Sequence, residues 1–143
     1  MTSFAFTAVE TASLVAVVLI ASVAAFQIGL ALGVPLGDAV FGGRAPTHDG
    51  VLTARFRGLA VVQAVILLVI GWILLARTGV VSIPFLSGDT LVWLTWVIVA
   101  FLALNTVANF TAPHPVEKWL MGSITLALFV LGLFIAISAA DAI

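Results

Sequence analysis

The sequence predicts an all-α fold: a transmembrane bundle of four helices, N-out and C-out, with one longer loop on the inner side. Three observations predict it. Hydrophobic residues make up 64% of the chain and charged residues only 8%, against roughly 45–50% and about 25% in a soluble domain. The few charges cut the chain into four long uncharged gaps. The basic residues fall unevenly on the loops between those gaps. So few charges cannot cover a water-exposed surface, and the membrane class follows from composition alone.

A helix needs about 20 mostly apolar residues, at 1.5 Å each, to cross about 30 Å of hydrocarbon. The uncharged gaps run from Glu10 to Asp38, Arg57 to Arg77, Asp89 to Glu117 and Lys118 to Asp141. Each is long enough for one span. They place helices at 11–33, 58–77, 90–110 and 116–139, in one transmembrane domain over 1–143 with the inner loop at 34–57. The runs lack the alternation of barrel strands, and only helices otherwise satisfy every backbone group in lipid. The leading segment MTSFAFTAVE has no Lys or Arg, and the apolar run after it exceeds the about 7–15 residues of a signal-peptide core. It is expected to remain as the first span.

The first helix carries Ala21, Ala25, Gly29 and Gly33 at every fourth position, a spacing that stacks small residues on one face. Such a face permits close helix approach within lipid. It is expected to pack inside the bundle or against a second copy. The stretch from Gly33 to Arg57 holds five glycines and two prolines, so the helix ends near Gly33. PTHDG reads as a turn. LGDAVFGG is too apolar for a flexible linker and too short to span, and is expected to lie ordered along the inner interface or against the bundle.

Arg55 and Arg57 lead into the second helix, and Arg77 closes it. The stretch between Arg77 and Asp89 is too short to span and holds Gly79, Pro84 and Gly88, so it is a loop. The third helix ends before TAPHPVEKW. There Pro113 and Pro115 hold the chain extended, Pro115 suits a first helical position, and Glu117 falls where the helix dipole favours a carboxylate. Arg44, Arg55, Arg57 and Lys118 share one side of this layout, with Arg77 alone among basic residues on the other. The positive-inside rule makes the four-charge side cytoplasmic. Trp72, Trp93, Trp96 and Trp119 fall near the ends of spans, at depths where indoles anchor to the interface.

The block Gly29, Gly33, Pro35, Gly37, Gly42 and Gly43, followed by a Leu-x-x-x-Phe-Arg entry to the second helix, resembles a family of small bacterial four-helix membrane proteins. Leu104-Asn105, Asn109 and Glu117 carry the same resemblance at the end of the third helix. The resemblance spans nearly the whole chain and implies a fold in the bacterial inner membrane. It implies no activity, and the loop TAPHPVEKW departs from the Ser- and Arg-richer loop of that family.

Four carboxamides are the candidate site. Gln27, Gln63 and Asn105 lie within about six residues of the inner ends of three helices, or roughly 8–10 Å deep at 1.5 Å per residue. Asn109 shares a face with Asn105. They form either a polar pocket, for a lipid headgroup or small polar solute, or interhelical hydrogen bonds. Asp38, His48, Asp49 and His114 lack metal-site spacing, no serine sits on a nucleophile turn, and no glycine-rich segment follows a strand. No metal, cofactor or catalytic residue is therefore expected. The absence of cysteine excludes thiol chemistry, and a net charge of −1 with scattered basic residues excludes nucleic acid. The expected role is a non-enzymatic accessory or lipid-associated component, with membrane lipids, a second copy or another membrane protein as partners. The alternative is a small transporter or ligand-binding protein using the carboxamides.

Overall fold

A computed structural model describes residues 6–139; Asp141, which bounds the fourth gap, lies outside them. It contains four helices long and apolar enough to cross a membrane. These are α1 (Ala8–Leu32), α2 (Ala54–Arg77), α3 (Gly88–Phe110) and α4 (Gly122–Ser138), the last entered through a π-helical turn, Val116–Met121. α1 packs chiefly on α2 and α3 on α4, and α1–α4 and α2–α3 contacts close the ring. The shared core comprises Ala12, Ala16 and Ile20 from α1, Ile70 and Leu74 from α2, Ile98 and Leu102 from α3, and Leu128 and Ile135 from α4.

Three helices begin earlier than their uncharged gaps suggest, at 8, 54 and 88 in place of 11, 58 and 90. Charge ends the apolar stretch without ending the helix. Thr7 caps α1 by accepting from the Glu10 N–H at 3.2 Å, and the Glu10 carboxylate accepts from the Thr7 N–H at 2.7 Å. This reciprocal capping box needs its acid inside the first turn. Ser87 caps α3 by accepting from the Thr90 N–H, and Asp89 lies in the turn that follows.

The far end of α1 closes on Gly33, at φ +103°. The Gly33 N–H donates to Leu30 O at 3.1 Å and the Val34 N–H to Gly29 O at 3.0 Å, the paired bonds of a Schellman cap. α1 has no basic residue in its last turn. Arg57 of α2 supplies one, donating from Nε to Ala31 O at 2.7 Å, where the helix dipole favours a cation.

Residues 33–53 fold back as an ordered cap with its own small core. Leu30, Val40, Ala45, Leu52 and Ala60 are buried there, with Phe26, Phe41 and Phe56 packed around them. Two short strands, β1 (Thr47–His48) and β2 (Val51–Leu52), pair antiparallel. Their turn residues Asp49 and Gly50 both have positive φ, 51° and 80°, as a type I′ hairpin requires. The Gly37 N–H donates to Gly50 O at 2.8 Å, so the two backbones touch.

The buried line of α1 runs through Ala12, Ala16, Ile20 and Ala24. It is displaced by one residue from the small-residue series. Ala21 and Ala25 are exposed, Gly29 and Gly33 half-buried. Packing inside the bundle therefore does not account for Ala21 and Ala25: Ile20 and its neighbours on that line meet the core, which turns the next residue outward. At the opposite end from the cap, Arg77 is buried in the last turn of α2.

Candidate functional site

At the capped end the helices part around a cavity of about 440 Å³. Gln27 enters it from α1, Gln63 from α2, and Asn105 and Asn109 from α3. All four sequence-selected carboxamides thus line one space. Glu117 from the π-helical turn and Thr125 from α4 complete its polar wall, and Phe26, Leu67, Phe101 and Leu128 are among its apolar lining.

The bonds of the carboxamides differ. Asn109 donates from Nδ2 to Thr125 Oγ1 at 3.2 Å, joining α3 to α4. Thr125 in turn donates to Met121 O at 2.9 Å. Asn105 donates only to Phe101 O, one turn back on its own helix, at 3.3 Å. Gln27 Oε1 is buried with no hydrogen-bond partner. Among the described residues, Asn109 alone of the four bonds across helices. Interhelical bonding thus accounts for one carboxamide and leaves Gln27, Gln63 and Asn105 without that role.

Glu117 is the residue whose place the sequence did not reveal. Its position after Pro115 marks it as a helix-start carboxylate, and such residues are ordinarily solvated. Here only 8% of it is exposed. Both of its oxygens accept from the Gly42 N–H, at 3.0 and 3.2 Å. Gly42 presents that N–H from a left-handed conformation, φ 67°, which glycine adopts without steric penalty. The contact ties the cap to the start of α4 and turns the carboxylate onto the cavity wall. No local sequence pattern links residues 75 apart in this way.

Arg44, Arg55, Arg57 and Lys118 surround this end without lining the cavity. Arg44 and Arg55 are exposed. Arg57 engages the α1 terminus, and Lys118 Nζ lies 5.4 Å from the centroid of the Trp119 ring. His48 and Asp49 form an exposed pair at 3.1 Å, while Asp38 accepts from Thr47 Oγ1 at 2.8 Å. No group of three potential metal ligands occurs among the described residues.

A second hollow, of about 490 Å³, lies between α2 and residues 82–86. Trp72, Ile83 and Phe85 help line it, and Ser82 is its one polar side chain. It offers little directional chemistry. The cavity at the capped end combines polar groups from all four helical segments with an apolar wall, and is the candidate site. Comparisons of the chain with protein-family models, with curated proteins and with solved structures give no match.

Proposed function

We propose that the chain is a multi-pass protein of the bacterial inner membrane that holds a lipid-like amphiphile in the capped-end cavity, as a binding component without a chemical step. The observation that carries this reading is the unequal bonding of the carboxamides. Among the described residues, three of the four bond to no other helix, yet all face one space that also has an apolar wall. A molecule with a polar head and a hydrocarbon tail suits such a lining, because each part meets its own kind of surface.

The orientation is part of the proposal. Arg44, Arg55, Arg57 and Lys118 all lie at the capped end, which the positive-inside rule places in the cytoplasm. Both chain ends then lie outside. Trp72, Trp93, Trp96 and Trp119 are all exposed on the bundle surface, as interfacial anchors would be. The cavity accordingly sits at the level of the cytoplasmic leaflet.

The test is to extract the protein gently and quantify the amphiphile that travels with it. The wild type should carry about one molecule per chain. A Gln63→Ala/Asn105→Ala double variant of unchanged helicity should retain about thirtyfold less, given about 1 kcal/mol for each of two lost hydrogen bonds. Equal retention by both proteins, or none by the wild type, overturns the proposal.

A further inference from the structure

We infer that the cavity selects an amphiphile whose head is a protonated amine, with Glu117 as the group that pairs with it; this rests on the amphiphile-binding reading above. A carboxylate offers about four acceptor positions on its two oxygens. Among the described residues, those of Glu117 share a single donor, the Gly42 N–H. A buried anion in that state calls for a cation.

The described residues do not provide one. Among the described residues, no Lys, Arg or His nitrogen lies within 4.0 Å of the Glu117 carboxylate. The nearest cation in sequence, Lys118, has its ammonium over the Trp119 ring. Arg57 donates to Ala31 O. The cavity's other polar side chains are uncharged carboxamides and one hydroxyl, so the single charged side chain on its wall is negative.

A second, independent group makes the same demand. Gln27 Oε1 is a buried acceptor on the cavity and has no donor among the described residues. Buried polar atoms are rarely left unsatisfied, and an orphan facing a cavity is explained by something that occupies it. Among the described residues, Gln27 Oε1 has no donor and the two oxygens of Glu117 have one between them. A primary ammonium brings three N–H donors and a positive charge, whereas a hydroxyl brings one donor and no charge. A trimethylammonium brings the charge and no N–H. The primary amine therefore fits best, the quaternary amine second and the neutral head worst. Phe26, Phe101 and Leu128 offer apolar surface to the attached chain.

Two sources share this chemistry: the headgroup of an ethanolamine phospholipid and a single-chain alkylamine. Native mass spectrometry of the delipidated full chain distinguishes them. The protein is titrated with phospholipids of identical acyl chains bearing ethanolamine, choline or glycerol heads, and separately with dodecylamine. Ethanolamine should outcompete glycerol by about tenfold, with choline between them. Tight binding of dodecylamine alone identifies a free amine as the ligand and also upholds the inference.

In Glu117→Gln the preference should vanish, with ethanolamine binding falling to the level of glycerol. The new side chain keeps an oxygen to accept from Gly42. A wild type that binds all three phospholipids equally overturns amine selection, whether or not the variant folds, and so does a variant that keeps the preference. In those outcomes the amphiphile-binding reading survives. A wild type that binds no amphiphile overturns both.

Discussion

Gly42 donates its one backbone N–H to both carboxylate oxygens of Glu117, at 3.0 and 3.2 Å. This contact joins the 33–53 cap to the π-helical turn that opens α4. Hydrogen bonds to charged groups contribute roughly 1.5–3 kcal/mol. Replacing Glu117 with Ala should therefore loosen the cap, visible as faster amide exchange across residues 37–52 while exchange in the four helices holds. Unchanged protection of the cap would show that its small core suffices to hold it.

The cap is sensitive at a second point. A Cβ on Gly37 would come within 2.8 Å of Gly50 O and 2.9 Å of Leu52 Cδ2. Backbone oxygen cannot yield as a flexible side chain can. Gly37→Ala should destabilise the protein by about 1–3 kcal/mol, the usual range for overpacking, read as a lower thermal midpoint in detergent. Gly58→Ala is the matched control, since a Cβ there meets nothing within 4 Å.

The carboxamides should separate into two classes. Asn109 bonds across to Thr125, and Asn109→Ala should lower stability by about 0.6 and at most about 1.7 kcal/mol. Gln63 makes no such bond among the described residues, so Gln63→Ala should leave stability within about 0.5 kcal/mol of wild type while reducing amphiphile retention. Unfolding curves for the two variants, measured together, check the contrast.

Gly122 marks the close approach of α4 to α3. A Cβ there would lie 3.1 Å from two atoms of the Phe110 ring, which itself packs edge-on against Trp119 at 6.3 Å. Gly122→Ala should lower the thermal midpoint. Combining it with Phe110→Leu should recover part of the loss, since the second change removes the ring that obstructs the first.

The chain has no cysteine, which makes its orientation simple to measure. Single cysteines at His48, exposed beside the hairpin turn, and at Ser87, in the opposite loop, should label from opposite sides of intact cells. The proposed layout has Ser87→Cys reacting with an impermeant maleimide and His48→Cys reacting only after permeabilisation. The reverse pattern would invert the protein.

The elements legible in the sequence were those written in composition and local chemistry. Uncharged gaps located four helices, and Gly33 located the end of the first. The Asp49–Gly50 turn was readable from PTHDG, although its two flanking strand residues on each side were too short to give a period. Helix starts were misplaced by two to four residues because the charges of Glu10, Arg55 and Asp89 belong to first turns. Depth along a helix brought Gln27, Gln63 and Asn105 to one level, with Asn109 on the face of Asn105, and the fold places all four on one cavity. Small residues occur on two adjacent lines of α1, and only tertiary packing chooses Ala24 over Ala25 for the core. The burial of Glu117 was not legible at all, since it depends on a loop residue far away in sequence.

The most direct test of the central claim is photo-crosslinking in native membranes with a phospholipid carrying a photoreactive group on its acyl chain. Adducts mapped by peptide mass spectrometry should concentrate on Phe26, Phe101 and Leu128, and should saturate at a low fraction of labelled lipid. Adducts confined to outward residues such as Val61, Val62 and Leu104, rising in proportion to labelled lipid without saturation, would contradict it. That result would leave the cavity unoccupied by lipid and the protein surrounded by lipid only as any membrane protein is.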